Sequence, residues 1–137
     1  MTHLLGPTPS VLVTDDIAAI RDVVARVLSA EGYLVEAAAE GAEAMEKIGR
    51  RLFDLYLVDF AMPIMTGLEL AAVIRAYHPS AKVLYITAYS DRLFQDTVLL
   101  KDSEAFLEKP FTPEDLRSAV SLLLFGHLRG PQLKEGI

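Results

Sequence analysis

Hydrophobic positions in this chain fall into two patterns that take turns along its length. Short unbroken apolar runs, Val11-Leu12-Val13, Leu55-Tyr56-Leu57-Val58 and Val83-Leu84-Tyr85-Ile86, are rich in β-branched and aromatic residues, and each is followed by a polar residue. Runs of this length without alternation predict strands buried on both faces. Between them, apolar residues recur at helical spacing. Ile20, Val23, Val24, Val27 and Leu28, interleaved with Arg21, Asp22 and Arg26, predict an amphipathic helix that Gly32 stops. Tyr33 to Ala37 predicts a second strand, and Ala42, Ala44, Met45 and Ile48 a short alanine-rich helix finishing near Gly49. A third helix, with Leu68, Leu70, Ala71, Val73 and Ile74, follows Gly67 and must close before Pro79, because proline disfavours helical backbone in the residue before it. Ser90 or Asp91 caps a fourth helix to about Lys101, and Ala105-Phe106-Leu107 supplies a fifth strand. Thr112 as N-cap, Pro113 in the first turn and Asp115 three residues after the cap open a last helix that runs to about Phe125.

Strands that alternate with helices imply a parallel sheet, since each crossover is right-handed and lays its helix on one face or the other. The predicted fold class is therefore α/β, a doubly wound five-stranded parallel sheet with helices on both faces. At 137 residues the chain has room for one such domain. Residues 10–126 carry the pattern. Residues 1–9, with Gly6, Pro7 and Pro9, read as a leader, and residues 127–137 lose the periodicity and read as a tail or linker stub.

Composition narrows the function classes. A net charge of −6 argues against direct nucleic-acid binding, which needs clustered Lys and Arg. Cysteine is absent, which removes disulfides, thiolate metal sites and thiol nucleophiles, and fits a cytoplasmic location. No apolar run approaches the roughly 20 residues that span a bilayer, so no membrane role is expected. His3, His78 and His127 are far apart and lack ligand spacing.

Candidate chemistry lies where the strands stop, because open α/β sheets bind ligands outside the carboxyl ends of their strands. Those positions hold Asp15, Asp16, Asp59, Thr87 and Lys109. Each has a bland reading by itself: acidic residues cap helices, threonine favours strands, and a lysine before a proline is commonly solvated. Three carboxylates in one crevice repel one another unless a cation neutralises them, and an all-oxygen set suits Mg²⁺. Thr87 and Lys109 add a hydroxyl and an ammonium suited to phosphoryl oxygens, and Asp59 is a competent nucleophile for aspartyl-phosphate chemistry.

The ordered set of Asp15-Asp16, Asp59 with Met62-Pro63 and Gly67, Thr87-Ala88, and Lys109-Pro110-Phe111 resembles the receiver domain of two-component response regulators over roughly residues 10 to 126. The resemblance implies a flavodoxin-like (βα)5 fold with strand order 2-1-3-4-5. It implies phosphorylation of Asp59, Mg²⁺ held directly by Asp16, Asp59 and the backbone carbonyl of Ala61, and Asp15 acting through a metal-bound water. Lys109 would contact the phosphoryl group, Thr87 and Phe106 would act as switch residues, and the Lys109-Pro110 bond would be cis. The expected partner is a histidine kinase or histidine phosphotransfer protein, with a homodimer left open. The domain is then a phosphoacceptor that catalyses its own phosphotransfer and dephosphorylation, not an enzyme acting on a separate substrate.

Two departures qualify this expectation. Similar domains carry a Gly-Ala pair before the switch aromatic, where this chain has Asp102-Ser103, so the end of the fourth helix must form without glycine's freedom. Ala61 and Tyr89 occupy positions that vary among similar domains and there flank the path of attacking water, so the resemblance implies that Tyr89 screens the phosphoryl group and slows its loss. A phosphorylation-independent binding module of the same fold is the alternative. It is weakened because no acidic, hydroxyl or lysine position is missing. A hydrolase with an aspartyl-phosphate intermediate ranks last, because the position two beyond Asp59 is Ala61 and not a second carboxylate.

Overall fold

The computed structural model describes residues 8–88 and 103–126. Its strands are β1 (Ser10–Thr14), β2 (Leu34–Ala38), β3 (Leu55–Asp59), β4 (Lys82–Thr87) and β5 (Glu104–Glu108). Its described helices are α1 (Ala18–Ala30), α2 (Gly41–Arg50), α3 (Gly67–Tyr77) and α4 (Pro113–Phe125). The helix predicted over residues 90–101, together with Tyr89 and Asp102, lies outside the described residues, as do residues 1–7 and 127–137. All neighbouring strands pair in parallel, in the order β2-β1-β3-β4-β5. This is the flavodoxin-like order that the resemblance implied.

Alternation along the strands divides the interior in two. Leu12, Tyr56, Val58, Val83 and Tyr85 meet Ala44 and Ile48 of α2 and Leu70, Ala71 and Ile74 of α3 on one face. Val11, Val13, Leu55, Leu57, Leu84 and Ile86 pack against α1 and α4 on the other. Every residue of β1 and β3 is buried, which accounts for their unbroken apolar runs. β2 and β5 lie at the sheet edges, so Leu34 is largely exposed and β5 is only half-buried throughout. Met45 and Leu68 also face water, because α2 and α3 each turn a narrower stripe inward than an apolar count suggests.

Helix ends follow local rules where side chains can act on them. Thr112 accepts from the Asp115 amide and Asp115 accepts from the Thr112 amide, each at 3.0 Å, with Pro113 in the first turn. α3, which follows Gly67 in the sequence pattern, has the same reciprocal box from Thr66 and Glu69. Gly32 follows α1 with φ +95°, as a glycine stop requires. α2 ends at Arg50, one residue past Gly49, close to the expected end.

A buried ion pair ties α3 to the far edge of the sheet. Arg75 donates through Nε and Nη2 to Glu104 Oε2, at 3.1 and 2.7 Å, and through Nη1 to the carbonyl of Ala81 at 2.9 Å. The Tyr85 hydroxyl donates to the same carboxylate oxygen at 3.4 Å. Glu104→Gln keeps the shape but removes the charge from this junction. It is expected to lower the urea midpoint by the equivalent of about 2 kcal/mol, read by circular dichroism at pH 7.

Candidate functional site

The carboxyl ends of β1, β3, β4 and β5 bring the predicted residues to one edge of the sheet. Asp15 follows β1, and its amide extends the ladder by donating to the carbonyl of Ala38 at 3.2 Å. Asp59 closes β3, opposite Ile86, and the Phe60 amide donates to the Ile86 carbonyl at 2.8 Å. Thr87 closes β4 fully buried, and its carbonyl accepts from the Lys109 amide. Lys109 is thus delivered beside the aspartates by the neighbouring strand, and its peptide bond to Pro110 is cis, as expected.

Carboxylate oxygens of Asp15, Asp16 and Asp59 lie within 4.8 Å of one another. Asp15 is wholly buried and Asp59 nearly so, while Asp16 faces solvent. The Lys109 ammonium stands 3.2 Å from Asp15 Oδ2 and 3.8 Å from Asp59 Oδ1. One cation cannot neutralise three carboxylates. Burial, a hydrogen bond shared with Asp16 and the charge of Asp15 push Asp59 up to about 7, against the opposing pull of Lys109 and of the Ala61 amide, 3.4 Å from Oδ1. Among the described residues Asp15 Oδ2 is buried without a hydrogen-bond partner, although the Lys109 ammonium stands 3.2 Å away as an ion-pair partner. A buried acceptor left unsatisfied beside two further hard oxygen donors fits a divalent cation such as Mg²⁺.

Phe106 lies on β5 with its ring against two others. Its centroid is 5.8 Å from that of Phe60 and 5.6 Å from that of Tyr85, and Phe60 and Tyr85 meet edge to face at 6.0 Å. Phe60 directly follows Asp59, so the aromatic cluster is joined to the acidic site through one peptide unit. Phe60 and Tyr85 were missed as partners of Phe106, because no local spacing connects a residue just past β3 with positions on β4 and β5.

Two more residues escaped attention. Gly67 stood out only as the residue before the third helix and as part of the family pattern, yet a Cβ there would lie 2.4 Å from the carbonyl oxygen of Asp59 and 2.8 Å from Phe60 Cα. Its amide donates to the Phe60 carbonyl at 2.9 Å, closing a loop that reverses at Ile64, where φ is +72°. Arg21 was read only as a polar position of α1, but its Nη1 donates to the carbonyl of Asp15 at 2.8 Å.

Among the described residues no helix is long and apolar enough to cross a membrane. Residues 11–121 match the family model of the response regulator receiver domain. The chain is 33% identical over 114 residues to the response regulator MprA of Mycobacterium leprae, a match that covers 83% of this chain and 50% of that protein. It is 32% identical over 123 residues to the sensor kinase CckA of Brucella abortus, covering 88% of this chain and 13% of the kinase. The chain thus spans half the length of one curated relative and a small part of the other. A solved structure of the response regulator TrrA from Thermotoga maritima, in complex with Mg²⁺-BeF, superposes with a TM-score of 0.74 at 33% identity, over 85% of this chain and all of that one. With its strand order, its acidic strand ends and a family match over most of its length, the chain belongs to the response regulator receiver domains of two-component systems.

Proposed function

We propose that this domain is a phosphoacceptor switch that takes a phosphoryl group onto Asp59 from a phosphohistidine donor, with Mg²⁺ as cofactor. The observation that carries the reading is the gathering of Asp15, Asp16 and Asp59 within 4.8 Å beside the Lys109 ammonium, with one buried carboxylate oxygen of Asp15 left without a hydrogen-bond partner. Mg²⁺ would be held by Asp16, Asp59 and the Ala61 carbonyl, with Asp15 acting through a bound water. When bound, the ion supplies positive charge that offsets the carboxylates and the incoming phosphoryl oxygens.

In the transfer, an Asp59 carboxylate oxygen forms the new O–P bond while the P–N bond of the donor breaks. The electron pair returns to the imidazole nitrogen, which regains neutrality by proton exchange with solvent. Lys109, already placed between Asp15 and Asp59, would pair with a phosphoryl oxygen. Thr87, buried at the end of the adjacent strand, would donate its hydroxyl to another, and Phe106 would respond and remodel the β5 edge. In this reading residues 10–126 are the switch, flanked by residues 1–9 and 127–137. The domain works in the cytoplasm with a histidine kinase or histidine phosphotransfer protein, and without direct contact to nucleic acid or membrane. Relatives that include a response regulator and a sensor kinase support a partner of that kind.

Incubation with acetyl phosphate and Mg²⁺ tests the reading. Intact-mass spectrometry is expected to show one added phosphoryl group, lost when EDTA replaces the metal. A chain that stays unmodified in Mg²⁺ would favour the binding module that works without phosphorylation.

A further inference from the structure

The elbow that joins β1 to α1 has no reciprocal capping box of the kind that opens two of the described helices. α3 and α4 begin with reciprocal capping boxes, whereas Ile17, the N-cap of α1, offers no side-chain hydrogen bond. The elbow must nevertheless be fixed, because it carries Asp15 and Asp16, and Asp16 faces solvent, where no packing sets its direction. Strand pairing holds it only in part. The β1 ladder ends at Thr14 against both neighbours, after which the Asp15 amide makes a last bond to Ala38.

Two further bonds close the elbow. Asp15 Oδ1 accepts from the Ile17 amide at 2.9 Å, and Arg21 reaches back from the first turn of α1 to donate to the Asp15 carbonyl at 2.8 Å. Arg21 is itself anchored, because its amide donates to the Ile17 carbonyl at 3.2 Å. The guanidinium, the carbonyl it captures and the Asp15 carboxylate lie on one short closed path of covalent and hydrogen bonds, and Asp16 is the residue that path carries between Asp15 and Ile17.

We propose that Arg21 is a positioning residue for the cation site: by holding the Asp15 carbonyl it fixes the elbow so that the Asp15 and Asp16 carboxylates stay converged on Asp59. The inference rests on the phosphoacceptor reading, in which that cluster binds Mg²⁺. The alternative, that Arg21 acts only as a nearby positive charge, predicts the opposite sign. Removing a cation beside a cation site should tighten Mg²⁺ binding, whereas releasing the elbow should weaken it.

Calorimetric titration of Mg²⁺ into the wild type and the Arg21→Met variant separates the two. Methionine keeps much of the side-chain length and removes both donor and charge. The expected result is about tenfold weaker binding, the low end for a residue that acts behind a metal's ligands, with phosphorylation by acetyl phosphate restored at saturating Mg²⁺. Arg21→Lys, which keeps a donor, is expected to recover part of the affinity. Amide hydrogen exchange at Ile17 should quicken in Arg21→Met as its acceptor loosens. Unchanged or tighter Mg²⁺ binding in Arg21→Met overturns the proposal, even where Ile17 exchange quickens. Wild type that neither binds Mg²⁺ nor takes a phosphoryl group overturns the function reading instead, so the two failures are distinct.

Discussion

Replacing Asp59 by asparagine is expected to abolish uptake of a phosphoryl group from acetyl phosphate while making the metal-free protein more resistant to urea at neutral pH. The two effects have one cause. Asparagine has no anionic oxygen to form the acyl phosphate, and it also removes a charge that the fold accommodates poorly. Asp59 is almost fully buried, shares its surroundings with two other carboxylates, and is pushed up to about 7 from an ordinary value of 3.8.

Because that shift is upward, the folded state binds the proton more tightly than the unfolded state does. Below about pH 4 Asp59 is protonated in both states and costs nothing. As pH rises towards about 7 the unfolded chain ionises freely while the folded chain resists, and stability is lost across that interval. Above it the loss levels off. The advantage of Asp59→Asn should therefore grow from pH 4 to 7 and then stay flat, at roughly 4 kcal/mol. Urea midpoints of both proteins in EDTA across this range provide the measurement. Added Mg²⁺ should raise the wild-type midpoint more than that of the variant, because a bound cation offsets the carboxylate repulsion in the first and meets one negative charge fewer in the second. A variant that is no more stable than wild type at pH 8 would contradict this account of the site.

Gly67→Ala is expected to be among the most damaging single-methyl additions to the chain. A Cβ at this position meets backbone on both counts, 2.4 Å from the Asp59 carbonyl oxygen and 2.8 Å from Phe60 Cα, so no side chain can rotate out of the way. Either α3 withdraws or the end of β3 moves. Withdrawal opens the packing of Leu70, Ala71 and Ile74 on the sheet, and movement displaces Asp59 from Asp15, Asp16 and Lys109. Overpacking of this kind costs about 3 kcal/mol, and phosphoryl uptake should fall at least tenfold in whatever fraction remains folded. Gly41→Ala makes an informative contrast. Its Cβ would lie 2.7 Å from Met65 Sδ, the far end of a flexible side chain that can swing aside. A loss in Gly41→Ala as large as that in Gly67→Ala would show that the backbone contact at Asp59 is not what matters.

Much of the site was legible because receiver chemistry is concentrated at strand ends, and strand ends are marked in sequence by the point where an unbroken apolar run meets a charge. Asp59 could be located that way directly, while Asp15-Asp16 and Lys109 stand just past their runs and Thr87 marks its strand end by a hydroxyl in place of a charge. Helix starts written in local chemistry were equally readable, as Thr112, Pro113 and Asp115 show. The box of Thr66 and Glu69 carried the same signal and was overlooked beside Gly67. Burial at the sheet edges was less legible, because β5 has the apolar residues of a central strand while only one of its sides is paired.

What the sequence determined by itself was the alternation of buried strands and amphipathic helices and the identity of the residues at the strand ends, since both are set by local periodicity and residue type. Tertiary structure alone decided the distances that make those residues one site, the crowding of Gly67 against Asp59, the contact of Phe60, Tyr85 and Phe106, and the capture of the Asp15 carbonyl by Arg21. Each of these depends on where separate elements come to rest against one another. Packing sets that position through many weak contacts spread along the chain, and no short stretch of residues encodes it.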